Sequence, residues 1–325
     1  MVFSETAGMT DATKDTVVAK NADALIQRDR ACGEPGRRRV VLGLLAMLGL
    51  TLDAQTIPSA RAADAPLVMG IFPRRHATLT TELYEPLAAY LSRELGRELQ
   101  LVTAKDFDAF WDGVEQRRFD IVHYNQFHYV RSADKYRVIA HNEEFGLGTV
   151  AGALYVRKDS GISAIGQLRG RKVVFGGGTD AMMSYILPSY LLLQAGLQPT
   201  DYETIFSKNP PNSLISLFHG KADASGAGDI LIDLPVVRNA MDTSSVTHLG
   251  MTERILHLPW AVRKDMPKAL SARIQALLVG LKASEEGRAI LTRAEMTGFG
   301  AASDVDYDPH RRIIRKVMPA MTIPR

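Results

Sequence analysis

The residues best suited to chemistry lie in short polar stretches at the ends of apolar runs. Lys172 to Gly176 is such a run, Gly177-Gly178-Thr179-Asp180 follows it, and an apolar segment from Ala181 to Leu193 comes next. That order reads as strand, tight loop and helix, a geometry that turns backbone N–H groups toward an anion or polar ligand. Gly177, Gly178, Thr179 and Asp180 are therefore candidate ligand contacts. A loop that merely turns a strand tightly onto a helix would also use glycine. The Lys-Ser/Thr pair of a nucleotide P-loop is missing, and so is the G-x-G-x-x-G spacing of dinucleotide folds. No cofactor is expected.

Other candidates sit after two further strands. Pro66 to Phe72 ends in Arg74 and Arg75, which supply fixed charge and forked donors. Phe119 to Tyr124 delivers Tyr124, Asn125 and Gln126, which supply uncharged hydrogen bonds. Enzyme constellations are absent: there is no G-x-S-x-G elbow and no H-E-x-x-H. The sequence thus offers no catalytic residues and reads as a non-enzyme. His76, His123 and His128 could meet at a metal only if the fold gathered them, because no motif fixes their spacing. No metal site is assigned.

Behind these residues lies a chain of ordinary globular composition: 325 residues, 46% apolar and 23% charged, with a formal net charge of +3. The weak positive balance argues against nucleic acid as a partner. Arg37-Arg38-Arg39 precedes the apolar run Val40 to Leu52, which at about 13 residues is too short to span a bilayer and fits a signal-peptide core. Ala60-Arg61-Ala62 carries the small residues that a signal peptidase requires, which puts the leader at 1–62 and the mature protein in the periplasm. Cys32, the single cysteine, would leave with the leader. The mature chain would then hold no disulfide and no thiol nucleophile.

In the mature chain, helical and extended patterns alternate. Leu83, Leu87 and Leu91 share one face of a helix from Leu79 to Leu95, stopped by Gly96. Strands are read at Leu99 to Thr103, Val138 to His141 and Tyr202 to Phe206. Helices are read at Phe107 to Gln116, Pro211 to Phe218, Ile230 to Asn239, Lys268 to Lys282 and Glu285 to Leu291. Alternation of this kind implies parallel sheets, with ligand contacts at the carboxyl ends of the strands. The glycine-rich passage Gly146 to Gly152 reads as a crossing into a second domain, and Val246 to Leu249 and Arg254 to Val262 as the return. The expected architecture is α/β, with domain 1 at 63–150 and 249–325, domain 2 at 151–248, and two extended crossings beside an interdomain cleft.

The order of segments resembles the phosphate/phosphite/phosphonate-type substrate-binding proteins of ABC transporters. The likeness runs from Leu67 to about Leu291 and rests on Gly70-Ile71-Phe72-Pro73-Arg74-Arg75, Tyr84-Glu85-Pro86-Leu87, Phe119-Asp120-Ile121-Val122-His123-Tyr124-Asn125, Val174-Phe175-Gly176-Gly177 with Leu187-Pro188, and Leu258-Pro259-Trp260-Ala261-Val262. It implies a type II periplasmic binding-protein fold, each domain a mainly parallel sheet flanked by helices. It further implies a monomer that captures a small anionic or polar solute and hands it to an inner-membrane permease; the alternative is a sensing module for a membrane histidine kinase. By the same resemblance Tyr124 lines the pocket, Thr179 to Ser184 form its floor, and Asp229 lies at its edge in domain 2. The Ser-Thr-Ser run of phosphonate-binding members reads Ala181-Met182-Met183 here. Their His-Glu pair reads Asn209-Pro210, with Asn212 next as a candidate contact. The solute is thus expected to be anionic or polar, with its identity open.

Overall fold

A computed structural model describes residues 65–324; the expected leader and Cys32 lie outside the described residues. The chain runs β1 (Leu67–Ile71), α1 (Ala77–Leu95), β2 (Leu99–Val102), α2 (Phe107–Glu115), β3 (Ile121–His123), α3 (Gln126–Arg131) and β4 (Tyr136–Glu143). It continues through β5 (Thr149–Val150), β6 (Gly152–Arg157), β7 (Lys172–Gly176), α4 (Leu187–Gln194), β8 (Glu203–Ser207), α5 (Pro210–Phe218), β9 (Ala224–Gly228), α6 (Pro235–Arg238) and β10 (Val246–Met251). The remainder is β11 (Ile255–Leu256), β12 (Pro259–Arg263), α7 (Lys268–Gly280), α8 (Glu285–Arg293), β13 (Gly298–Ala301) and α9 (Asp308–Val317).

The strands form a six-stranded sheet in the order β13-β4-β12-β3-β1-β2 and a five-stranded sheet in the order β10-β6-β9-β7-β8. Both sheets are mixed. β1 runs parallel to β2 and β3, and β7 parallel to β8 and β9, as alternating helices require. The other pairings are antiparallel, because β12 enters from the return crossing and slots between β3 and β4. Two crossings carry the chain between the sheets as β5 and β11, which pair antiparallel through Ile255 and Val150. Val246 to Leu249 is not part of the return: as β10 it pairs with β6 and stays with the second sheet.

The apolar spacing of α1 does what an amphipathic pattern should. Leu83, Leu87 and Leu91 are buried with β1, α7 and α8 against one face of the first sheet, each contributing about 1.5–3 kcal/mol. Gly96 closes the helix in the left-handed conformation, φ 61°, which costs glycine nothing. On the opposite face α2, α3 and α9 share an apolar cluster with Met182, Ile186 and Leu187 from the second half, so one apolar seam joins the two.

Further features depart from the sequence reading. Ile230 to Asn239 is not one helix, because extended backbone at Leu234, ψ 136°, separates a 3-10 turn at Asp229–Asp233 from α6. Ala181 to Leu193 does not form one α-helix: Met182–Ile186 is a π-turn ahead of α4. Pro188 has no N–H to offer the Ser184 carbonyl, so the tighter ladder cannot form there. β9 is a strand of Ala-Ser-Gly-Ala-Gly, a composition without β propensity; a Cβ at Gly226 would lie 2.5 Å from the Phe175 ring and 2.8 Å from the Ser184 carbonyl oxygen. Finally, β13 and α9 follow the last helix read from sequence.

Candidate ligand-binding site

The loop after β7 faces α2 and α3, which pack on the first sheet, across a cleft of about 490 Å³. Its course is fixed by space. A Cβ at Gly176 would sit 2.2 Å from the Pro210 Cα, and Gly177 adopts φ 88° with its N–H donating to the Ser207 carbonyl at 3.0 Å. Gly178, Thr179 and Asp180 then form the second-sheet wall of the cleft.

The facing wall comes from α2 and α3. Asp106 caps α2 by accepting from the Ala109 N–H at 2.8 Å, which projects Phe107, Asp108 and Trp111 into the cleft. Asn125 caps α3 in the same manner, accepting from the His128 N–H at 2.8 Å. Its other side-chain end, Nδ2, donates to the Asp180 carbonyl at 3.2 Å. His128 is 3% exposed and stacks on Trp111 at 5.1 Å and on Phe107 at 6.1 Å, with Nε2 3.3 Å from Asp180 Oδ2. That His128 hydrogen bond holds the Asp180 carboxyl below its ordinary range, with burial acting the other way. The Arg131 guanidinium covers the Trp111 ring at 4.2 Å.

The structure gathers Gly178, Thr179 and Asp180 around the cleft, with Gly177 at the root of the loop and Asn125 behind it, bonded to the Asp180 carbonyl. The other candidate residues are engaged elsewhere in the fold. Arg74 pairs with Glu144 at 3.0 Å and Arg75 with Glu295. Tyr124 is fully buried, its hydroxyl 3.0 Å from Ser132 Oγ. Ser184 donates to the Gly176 carbonyl at 2.5 Å, tying the π-turn to the end of β7. Asn212 is exposed in the first turn of α5, its N–H donating to Asn209 Oδ1 at 3.1 Å. Asp229 accepts from the Ala151 N–H at 3.0 Å and pairs with Arg254, which reaches the Thr149 carbonyl at 2.7 Å; this set braces the crossings.

Glu144 anchors a second buried polar group. Burial pushes its carboxyl up, but the Arg74 charge and the hydrogen bond from Asn142 at 3.0 Å bring it down to about 2. Asn142 in turn accepts from Trp260 Nε1 at 2.8 Å. Sequence reasoning missed Asp106, Phe107, Asp108, Trp111 and Arg131. A signal was present, because an Asp cap followed by aromatics four residues apart puts two rings on one face of α2. Among the described residues no group of three His, Cys, Asp or Glu side chains is placed to hold a metal ion.

Two mixed sheets joined by a pair of crossing strands, with a cleft between a glycine loop and the facing helices, define a type II periplasmic binding protein. Residues 69–307 match the family described as ABC transporter, phosphonate, periplasmic substrate-binding protein, and the chain belongs to that family. Solved structures of the same fold include PhnD1 of Prochlorococcus marinus in complex with methylphosphonate (17% identity, TM-score 0.65, covering 77% of this chain and 97% of that one). A Xanthomonas citri protein bound to chloride is also similar (19%, 0.68, 78% and 99%). So is a binding-protein component of an ABC phosphonate transporter from Pseudomonas aeruginosa (15%, 0.65, 78% and 87%). At these identities the likeness establishes the fold.

Proposed function

We propose that the chain is exported through its N-terminal leader to the periplasm, where as a monomer it captures one small anionic or polar solute and passes it unaltered to an inner-membrane permease. The observation that carries this reading is the cleft of about 490 Å³, one wall of which comes from α2 and α3 and the other from the loop after β7. The parts at 63–150 with 252–325 and at 151–251 act as two lobes, the second extended to the end of β10, and β5 and β11 act as their hinge. Gly178 and Thr179 hold the solute from the loop wall, and Asn125, bonded to the Asp180 carbonyl beside them, adds an uncharged donor.

The start of the π-turn reads Ala181-Met182-Met183, and Met182 is buried among apolar side chains. Each hydroxyl missing from an oxyanion removes about 1–3 kcal/mol of binding. Methylphosphonate is therefore expected to bind the mature protein, residues 63–325, at least tenfold more weakly than the best monoanionic or zwitterionic solute in a calorimetric panel of sulfonates, carboxylates and amino acids. One-to-one binding with compaction in small-angle scattering, and an unaltered solute by NMR, supports the receptor. Absence of binding and of compaction across the whole panel defeats it.

A further inference from the structure

The donors that Asn125 and His128 present to the glycine loop are both taken by Asp180. Asn125 Nδ2 meets its backbone carbonyl at 3.2 Å, and His128 Nε2 lies 3.3 Å from its carboxylate. The histidine ring cannot turn aside without unstacking from Trp111 and Phe107. Its Nδ1 is buried without a partner, so Asp180 supplies the ring's polar contact. The Asp180 side chain itself stays 34% exposed at the cleft, on a loop whose only side chain between Gly176 and Asp180 is that of Thr179.

Resting on the receptor reading, we infer that Asp180 determines specificity: in the ligand-free protein its backbone carbonyl engages Asn125 and its carboxylate engages His128, tying the glycine loop to α3, and the carboxylate must be displaced by an incoming anion. A tethered carboxylate competes at an effective concentration on the order of millimolar or above. Once displaced it remains in the cleft beside Asp106 and Asp108, where three carboxylates against the one guanidinium of Arg131 oppose a second charge on the solute. The cleft then admits a solute with one negative group and discriminates against a dianion.

Asp180→Asn keeps the backbone carbonyl and the side-chain size while removing the charge, and Asp180→Ala removes the side chain. Spin labels at Asp112 and Lys208, one in each half, read the ligand-free distance. Both variants are expected to shift it toward longer values, and an unchanged distance overturns the assignment whether or not any solute binds. Inorganic phosphate and methanesulfonate are the calorimetric probes. The Asn variant is expected to bind methanesulfonate at least tenfold tighter than the wild type, with a larger gain for phosphate. Weaker, equal or undetectable binding by that variant also overturns the assignment. Failure of the receptor reading is separate: it appears as a wild type that binds no member of the wider panel.

Discussion

Lowering the pH from 7 to 5 is expected to cost the folded chain about 6 kcal/mol of stability. His123, His257 and His310 are each fully buried. Burial drives their pKa values down to about 3, about 4 and about 3, against weaker raising effects from the Pro259 carbonyl, Glu144 and the Leu256 carbonyl respectively. In the unfolded chain each titrates near 6.5, so between pH 6.5 and 4 the unfolded state binds more protons and stability falls as pH falls. By pH 5 each histidine accounts for about 2 kcal/mol, and the three together match the stability of many whole domains. Glu144 extends the loss further, because its folded pKa of about 2 means that its contribution fades as pH drops from about 4.5 through 2. Urea unfolding at pH 7, 6 and 5 measures the slope. A stability that stays flat over this window would mean that the three rings are not held neutral.

Trp260→Ala is expected to remove about 5 kcal/mol. The indole is fully buried in β12, stacks on His123 at 4.5 Å and meets the Phe299 ring edge-on at 5.4 Å. Truncation leaves a cavity at the middle of the first sheet, worth about 3–5 kcal/mol, and strips Asn142 of the Nε1 donor that helps orient it toward Glu144. Trp260→Phe keeps most of the volume and loses mainly that hydrogen bond, so it should cost about 1–2 kcal/mol. The chain contains two tryptophans, and in this milder variant Trp111 remains as a lone fluorophore in the cleft. Urea midpoints for the two variants decide the point: equal costs would contradict the packing account.

How legible the fold was in the sequence depended on whether local pattern and final position agreed. α1 announced itself because Leu83, Leu87 and Leu91 all face one sheet, and the glycine loop did so because Gly176 and Gly177 meet steric demands only glycine satisfies. β9 was hidden because its glycines serve the neighbours Phe175 and Ser184 rather than its own strand character. β10 and β12 carry similar short apolar patterns, yet one stays with β6 and the other crosses to β3; that choice belongs to the topology and leaves no local trace. The positions of Thr179 and Asp180 at the cleft followed from the rule that loops after strands gather there. Tyr124 shows the limit of that rule, since a residue at a strand end points to either face and this one points toward Ser132 in the core. Arg74 likewise carries the charge expected of it, but spends it on Glu144, 70 residues away in sequence.

The wedging of β12 between β3 and β4 also sets an order in time. Every strand of the second sheet lies within one continuous stretch, β6 to β10, whereas β3 and β4 have no direct bond to each other and wait for Trp260 to Val262. A chain emerging from the ribosome therefore carries a first sheet without its centre until more than two thirds of the polypeptide has been made, and the contacts that complete it are the long-range ones that form slowly. During refolding, amides of β7 and β9 are expected to gain protection in pulsed hydrogen exchange before those of β3 and β4, and simultaneous protection would speak against this sequence of events. Under the proposed export, a late central strand would keep the first half of the chain from locking before translocation.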